Sequence, residues 1–220
     1  MGILVGEKKI VGSGLIFCAD AKNKRSYPGS GASWFDLIGS NTGTIQSSPS
    51  FSNGIFTLDG GDDYVDFGND TSLDLTAAAS YCFWFYPAAA STSRPFARDD
   101  GSSNRNWWFY AYQDGTMWFS VQSSNSNKAI NHISSWSANN WHYYVGTFDS
   151  TTGTKLYKNG SVVGTNSFTG AADNDDVSLQ LGGASHKLNG KISVASIYNR
   201  ALSADEILQN FNAQRARFGI

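Results

Sequence analysis

The densest concentration of groups able to meet a ligand is the run Trp107-Trp108-Phe109-Tyr110-Ala111-Tyr112, followed after Asp114-Gly115 by Met117-Trp118-Phe119. Flat rings stack on the C–H faces of sugars, while amide and carboxylate side chains bond to the hydroxyls. Side chains of an extended strand alternate between its two faces. Trp107, Phe109 and Ala111 therefore share one face, and Trp108, Tyr110 and Tyr112 the other. One set belongs to a core, the default for most of these rings; the other is left for a surface, and alternation does not say which is which. Arg98, Asn104, Arg105, Asn125 and Asn127 flank the rings in polar loops, where specificity contacts are commonly made. The candidate ligand-binding set is Arg98, Asn104, Arg105, Trp107, Tyr110, Tyr112 and Trp118.

Hydrolytic chemistry finds little to work with. Retaining glycoside hydrolysis needs two carboxylates about 5 Å apart across the sugar. The only glutamates are Glu7 and Glu206, far apart in the chain, and the adjacent pairs Asp62-Asp63 and Asp99-Asp100 are expected in turns, pointing apart. The three histidines, His132, His142 and His186, sit in no nucleophile-elbow or Cys–His context. His142 reads as a paired strand residue. Histidine and cysteine are not in zinc-ligand spacing. Cys18 and Cys82 lie in apolar, strand-like runs and read as buried thiols, with a disulfide between two strands left open by spacing alone.

The elements that must position the rings are short strands. Aromatics make up 14% of the 220 residues and charged residues only 15%, too apolar for a disordered chain. Apolar and polar residues alternate over 14–20, 55–58, 63–67, 80–86, 107–112, 116–121, 141–148, 154–158, 161–164, 177–181 and 190–198, separated by turn residues. This predicts an all-β sandwich or barrel. Asn159-Gly160 predicts a type I′ hairpin, and Asp114-Gly115 is read in the same way. Trp141, Tyr143 and Val145 alternate with His142, Tyr144 and Gly146, predicting a strand buried on one side and half-exposed on the other, with Trp141 in the core. Ser203-Ala204-Asp205-Glu206 is a capping box opening one short helix, with Ile207, Leu208 and Phe211 on its docking face and Arg215 and Arg217 solvated. The expected divisions are an arm at 1–12, a sandwich at 13–202, and a capping helix with tail at 203–220.

A net charge of −2 and no basic run longer than Lys8-Lys9 exclude the footprint of a nucleic-acid binder. No stretch approaches a membrane span. Residues 1–14 lack the apolar core of a signal peptide, so secretion by such a signal is not expected.

Specific strings then become familiar. Gly14-Leu15-Ile16-Phe17-Cys18-Ala19-Asp20-Ala21, Phe56-Thr57-Leu58-Asp59-Gly60-Gly61-Asp62-Asp63-Tyr64-Val65 and Asn140-Trp141-His142-Tyr143-Tyr144-Val145-Gly146-Thr147-Phe148-Asp149 resemble successive strands of laminin-G-like, concanavalin A-like jelly-roll modules. The hairpin at 155–160, Leu179-Gln180-Leu181-Gly182-Gly183, Gly190-Lys191-Ile192 and Ile197-Tyr198-Asn199-Arg200-Ala201-Leu202-Ser203 continue the likeness in order. The resemblance covers about residues 14–212. It implies a two-sheet antiparallel jelly-roll sandwich with one short C-terminal helix, and a role in binding or attachment. Glucanases of this architecture carry an E-x-D-x-x-E strand, which this chain lacks; no catalytic role is expected.

Relatives of this kind hold Ca²⁺ with Asp, Asn and carbonyl oxygens at loop rims. The resemblance therefore nominates Asp99, Asp100, Asp173, Asp175 and Asp176 as calcium ligands. The family's Asp-Glu pair after G-x-I reads Ser193-Val194 here. Met1-Gly2-Ile3-Leu4-Val5-Gly6, the 26–37 segment and the stretch from Asn199-Arg200-Ala201-Leu202-Ser203 to Phe218-Gly219 look like tailed-phage virion proteins. This likeness implies a setting on a virion, otherwise extracellular. A glycan or host receptor, neighbouring virion proteins or further copies of the chain would be its partners. The alternative is a secreted bacterial adhesion or carbohydrate-binding module.

Overall fold

Alternating runs broken by glycine and asparagine can bury one face each, and only pairing into sheets satisfies their backbone groups. The computed structural model describes residues 9–220 apart from 90, 125 and 135, and for 126–134 the backbone only. Residues 1–8, hence most of the expected arm, and Asn125 lie outside the described residues, as do the side chains of Asn127 and His132.

In chain order the strands are β1 (Leu15–Asp20), β2 (Ser33–Phe35), β3 (Thr42–Gln46), β4 (Ser50–Ser52), β5 (Ile55–Asp59), β6 (Tyr64–Asp66), β7 (Ala78–Pro87) and β8 (Phe96–Asp99). They continue as β9 (Arg105–Ala111), β10 (Thr116–Ser123), β11 (Ser126–Ser134), β12 (His142–Asp149), β13 (Gly153–Lys158), β14 (Ser161–Asn166), β15 (Leu179–Leu181) and β16 (Asn189–Tyr198). The helix α1 spans Ala204–Gln214, followed by a 3₁₀ turn at Arg215–Phe218. The first sheet runs β14-β13-β12-β7-β16-β5-β4, with β1 also paired to β16; the second runs β11-β10-β9-β8-β15-β6-β3-β2. Every pairing between these strands is antiparallel.

The main core lies between the sheets. Phe17, Phe56, Tyr81, Phe83, Phe85, Tyr144 and Ile197 from the first meet Trp34, Val65, Phe96, Trp107, Phe109 and Phe119 from the second. A second core forms outside the first sheet, where Trp84, Tyr143, Val145 and Tyr198 pack under Ile207, Phe211 and Phe218. The β12 strand is therefore buried on both faces rather than one, because α1 roofs its outer side. Trp141 lies only partly buried at the margin of this second core.

The Asn159-Gly160 turn has φ of 50° and 84°, as a type I′ hairpin needs. The Asp114-Gly115 turn differs from expectation. Only Gly115 is left-handed, at φ 86°, and Tyr112 N–H bonds to Thr116 O at 2.9 Å. This is a type I turn closed by a glycine bulge.

The capping box of α1 is formed: Ser203 Oγ accepts from Glu206 N–H at 3.3 Å, and Ser203 N–H donates to Glu206 Oε2 at 2.9 Å. Two expectations for this region are corrected. Leu208 is 44% exposed, and Asn210 is buried in its place, because its amide accepts from Val11 N–H (2.7 Å) and donates to Tyr198 Oη (3.1 Å). Arg217 is not solvated: it bonds Asp20 Oδ1 (2.6 Å), Gly54 O (3.0 Å) and Ser193 Oγ (2.5 Å), pinning the tail to the first sheet.

Arg200 grips Glu206 with two bonds of 2.8 and 2.6 Å, and this pairing holds the Glu206 carboxyl down to about 2. A depressed carboxylate contributes stability above its unfolded value, lost as pH falls from about 4.5 towards 2. Both side chains are partly solvated, so the pair is worth about 1 kcal/mol. Glu206→Gln should lower stability by about that much at neutral pH and by nothing in strong acid, as denaturation at the two pH values would show.

Cys18 and Cys82 are free and buried. Each faces Ser196 from opposite sides of β16, so their Cα atoms are roughly 10 Å apart, beyond disulfide reach. Burial pushes both thiols up to about 12. A thiol reagent at pH 8 should leave the native protein untouched and label both residues in denaturant.

Candidate functional site

Two faces of the sandwich point outward, and α1 covers the one on the first sheet. Among the described residues no helix packs on the outer face of the second sheet. Burial resolves which rings stand there. Trp107, Phe109 and Ala111 of β9, with Met117, Phe119 and Val121 of β10, enter the core between the sheets. Trp108 and Tyr110, with Tyr112 just past the strand end, and Trp118 of β10 point the other way.

Trp118 sits directly across from Tyr110 in the β9–β10 register. The rings form a continuous row: His186 to Tyr110 at 5.0 Å between centroids, Tyr110 to Tyr112 at 4.5 Å, and Tyr112 to Trp118 at 5.1 Å. All four are partly exposed. Trp108, beside them, is 5% exposed, with the Arg105 guanidinium over its ring at 5.3 Å.

A charged cluster fixes one end of the row. Asp99, with a fully buried carboxylate, sits 3.1 Å from Arg94 Nη1 and 3.4 Å from Arg105 Nε. Arg94 also donates to Ser185 Oγ at 2.9 Å and lies over the Tyr110 ring at 5.3 Å. Burial and then the Arg94 charge hold His186 below its ordinary value, so it is neutral at pH 7. Burial raises the Tyr110 phenol, which stays protonated and able to donate. The face thus offers stacking surfaces with hydroxyl and imidazole groups beside them, suited to a sugar ring.

Of the residues expected from sequence, Tyr110, Tyr112 and Trp118 converge on this face and Arg105 borders it. Asn104 stands at the exposed loop tip, its amide closing onto Asp100 Oδ2 at 3.0 Å. Arg98 and Trp107 leave the candidate set because both point inward. Trp107 stacks on Tyr81 at 3.8 Å, and Arg98, 1% exposed, bonds Val177 O (3.1 Å), Leu73 O (2.9 Å) and Asp74 Oδ1 (2.8 Å). Arg94, Ser185 and His186 were not legible as site residues. Pairing of β8 with β15 brings their loops together, and no local pattern announces that pairing.

A family profile described as "Concanavalin A-like lectin/glucanases superfamily" matches residues 59–208. The chain belongs to the concanavalin A-like lectin/glucanases superfamily. Its architecture is that superfamily's jelly-roll sandwich, two antiparallel sheets with one short C-terminal helix. Comparison with curated protein sequences gives no match. Among solved structures, the chain is similar to the receptor binding domain of botulinum neurotoxin C/D mosaic serotype, with TM-score 0.73 and 14% identity over 91% of this chain and 51% of that one. It is also similar to the binding domain of botulinum neurotoxin DC in complex with SialylT (0.66, 17%, 91% and 51%). A third likeness is to Trypanosoma rangeli sialidase in complex with sialic acid (0.69, 14%, 92% and 33%). The chain thus spans about half the length of the neurotoxin domains and a third of the sialidase.

The calcium set that membership in this superfamily suggested does not assemble. Asp99 is consumed by two arginines, and Asp100 closes its own loop onto Ser102 and Asn104. Asp173 accepts from Ser124 N–H, Asp175 from Arg105 N–H and Asp176 from the Asn69 amide. Among the described residues the carboxylates that do converge are Asp59, Asp62 and Asp63, from the LDGGDDYV string. Both Asp63 oxygens already accept backbone N–H groups, from Ser48 and Asp59 at 3.2 Å each. Ser193, standing where the family's acidic position falls, is fully buried and serves as the anchor for Arg217.

Proposed function

We propose that this chain is a non-catalytic glycan-binding module that works through the outer face of its second sheet. The observation that carries the reading is the partly exposed row His186, Tyr110, Tyr112 and Trp118 on a sheet face that α1 leaves open. Similarity to a neurotoxin receptor binding domain, to a neurotoxin binding domain in complex with SialylT and to a sialidase in complex with sialic acid supports a saccharide as the ligand class. Catalysis is disfavoured by the carboxylate inventory: the chain has only two glutamates, Glu7 and Glu206, Glu206 is held by Arg200, and Asp99 is buried between arginines.

The proposed setting is the surface of a phage particle, supported by the likeness of the terminal strings to virion proteins. Many copies there would multiply a weak single-site affinity. A purely structural role, with helix and arm clamped on a neighbouring subunit, is less well supported. The helix face is spent on the chain's own first sheet, and residues 9–11 bond to α1 through Gln209 and Asn210. Among the described residues no helix is long and apolar enough to cross a membrane. A saccharide array probed with a multimerised form of the chain tests the proposal. Selective retention on a family of glycans is expected; a blank array at high valency would overturn it.

A further inference from the structure

A cleft of about 460 Å³ opens at the margin of the first sheet, away from the ring row on the second. Its walls come from the end of β7 (Tyr86), the residue before β12 (Trp141), the end of β13 (Lys158) and the tail (Phe218), with Asn139 and Asn140 at its rim. The volume lies within the range typical of small-ligand sites.

The rings form a corner: Trp141 meets Tyr86 at 5.5 Å and 59°, and Phe218 at 4.7 Å and 54°. Phe218 is immobilised from behind by stacking on Trp84 at 4.0 Å. Trp141 keeps part of its surface exposed. The amides are also set in place. Asn139 occupies a left-handed backbone at φ 60°, tied by its N–H to Pro87 O at 2.7 Å, and the Asn140 amide donates to Ser137 Oγ and Ala138 O. His142, 4% exposed, also lines the cleft, and its Nδ1 is buried without a hydrogen-bond partner among the described residues. No Asp or Glu side chain lines the cleft, which sets it apart from the acidic hollow around Asp59 and Asp63. Burial lowers Lys158, and burial with the nearby Lys158 charge lowers His142, so Lys158 is the cleft's cationic side chain.

An aromatic corner with fixed amides and no acidic side chain is the chemistry of a sugar pocket. We propose that this cleft is a second saccharide subsite, taking one hexose ring with its C–H face on Trp141 and its hydroxyl or acetamido groups on Asn139, Asn140 and Lys158. The subsite uses none of the residues of the second-sheet face, so one module would engage two points of a glycan surface, and tethering raises the effective concentration at the second.

The test is a titration of the ¹⁵N-labelled full chain with methyl α-glucoside and, separately, N-acetylglucosamine, following the tryptophan indole N–H signals. Saturable movement of the Trp141 indole with at least one sugar is expected in the wild type and equally in a Tyr112→Ala/Trp118→Ala variant. Asn139→Gly, which keeps the left-handed backbone and deletes only the amide, should weaken that response about five-fold. Trp141→Leu should remove sugar-induced shifts from the backbone signals around the cleft. A Trp141 indole unmoved by both sugars in the folded protein overturns the subsite. If Trp118 alone responds, the reading of the second-sheet face stands without it. If Trp141 alone responds, the cleft stands and that face falls. Equal responses in wild type and Asn139→Gly would remove the amide from the proposed contacts and with it the assigned sugar pose.

Discussion

Trp107→Ala is expected to destabilise the sandwich severely instead of subtracting a ligand contact. Trp107 is 2% exposed, stacks on Tyr81 at 3.8 Å and meets Phe96 edge-on at 4.8 Å. Truncating a buried tryptophan to alanine removes its transfer energy and leaves a cavity, together about 3–5 kcal/mol. Against a total stability of roughly 5–15 kcal/mol for a domain, that is a large fraction. The melting temperature should fall by about 10 °C or more. Trp107→Phe should cost far less, about 1.5 kcal/mol, since the indole N–H it removes is buried without a hydrogen-bond partner. Thermal denaturation of the two variants separates these outcomes. Near-native stability of the alanine variant would mean that the ring is not in the core.

Tyr112→Ala/Trp118→Ala should do the reverse, leaving the fold intact while strongly weakening glycan binding at the second-sheet face. Both rings are partly exposed on the uncovered face, 5.1 Å apart, and neither belongs to the buried clusters. Losing an exposed ring from a sheet surface costs little stability, about 0.5 kcal/mol each. A stacking contact with a ligand is worth about 1–1.5 kcal/mol. Each ring therefore contributes roughly ten-fold in affinity, and the pair about a hundred-fold. Arg105→Ala should act more weakly on binding, because the Arg105 side chain is spent on Asp99 and on the carbonyls of Ser102 and Gly101.

Local chemistry explains what was legible in the sequence. The capping box at Ser203 and the Asn159-Gly160 turn depend on neighbours a few residues apart, and both formed as read. The alternation along β9 correctly divided its rings into two faces. It could not say which faced out, because that depends on where the other sheet lies. The strands β2, β3, β4, β8 and β11 escaped detection. The first three are only three to five residues long, and β8 carries Arg98 and Asp99, charges that mimic a loop; Arg98 is neutralised by Asp74, distant in sequence, and Asp99 by Arg94 and Arg105 from the flanking segments. The same blindness to distant pairing explains Arg217, whose partners Asp20, Gly54 and Ser193 come from three separate strands or turns. It explains Asn210 too: a polar residue inside a helix face becomes the right residue only when Val11 and Tyr198 arrive to bond it.

The central claim is that the outer face of the second sheet meets a sugar. The most direct measurement is calorimetric titration of the best array glycan into the wild type and into Tyr112→Ala/Trp118→Ala, with melting curves of both. Binding that weakens about a hundred-fold in the variant at an almost unchanged melting temperature is the predicted result. Equal affinity in the two proteins would contradict it and place the glycan elsewhere on the molecule.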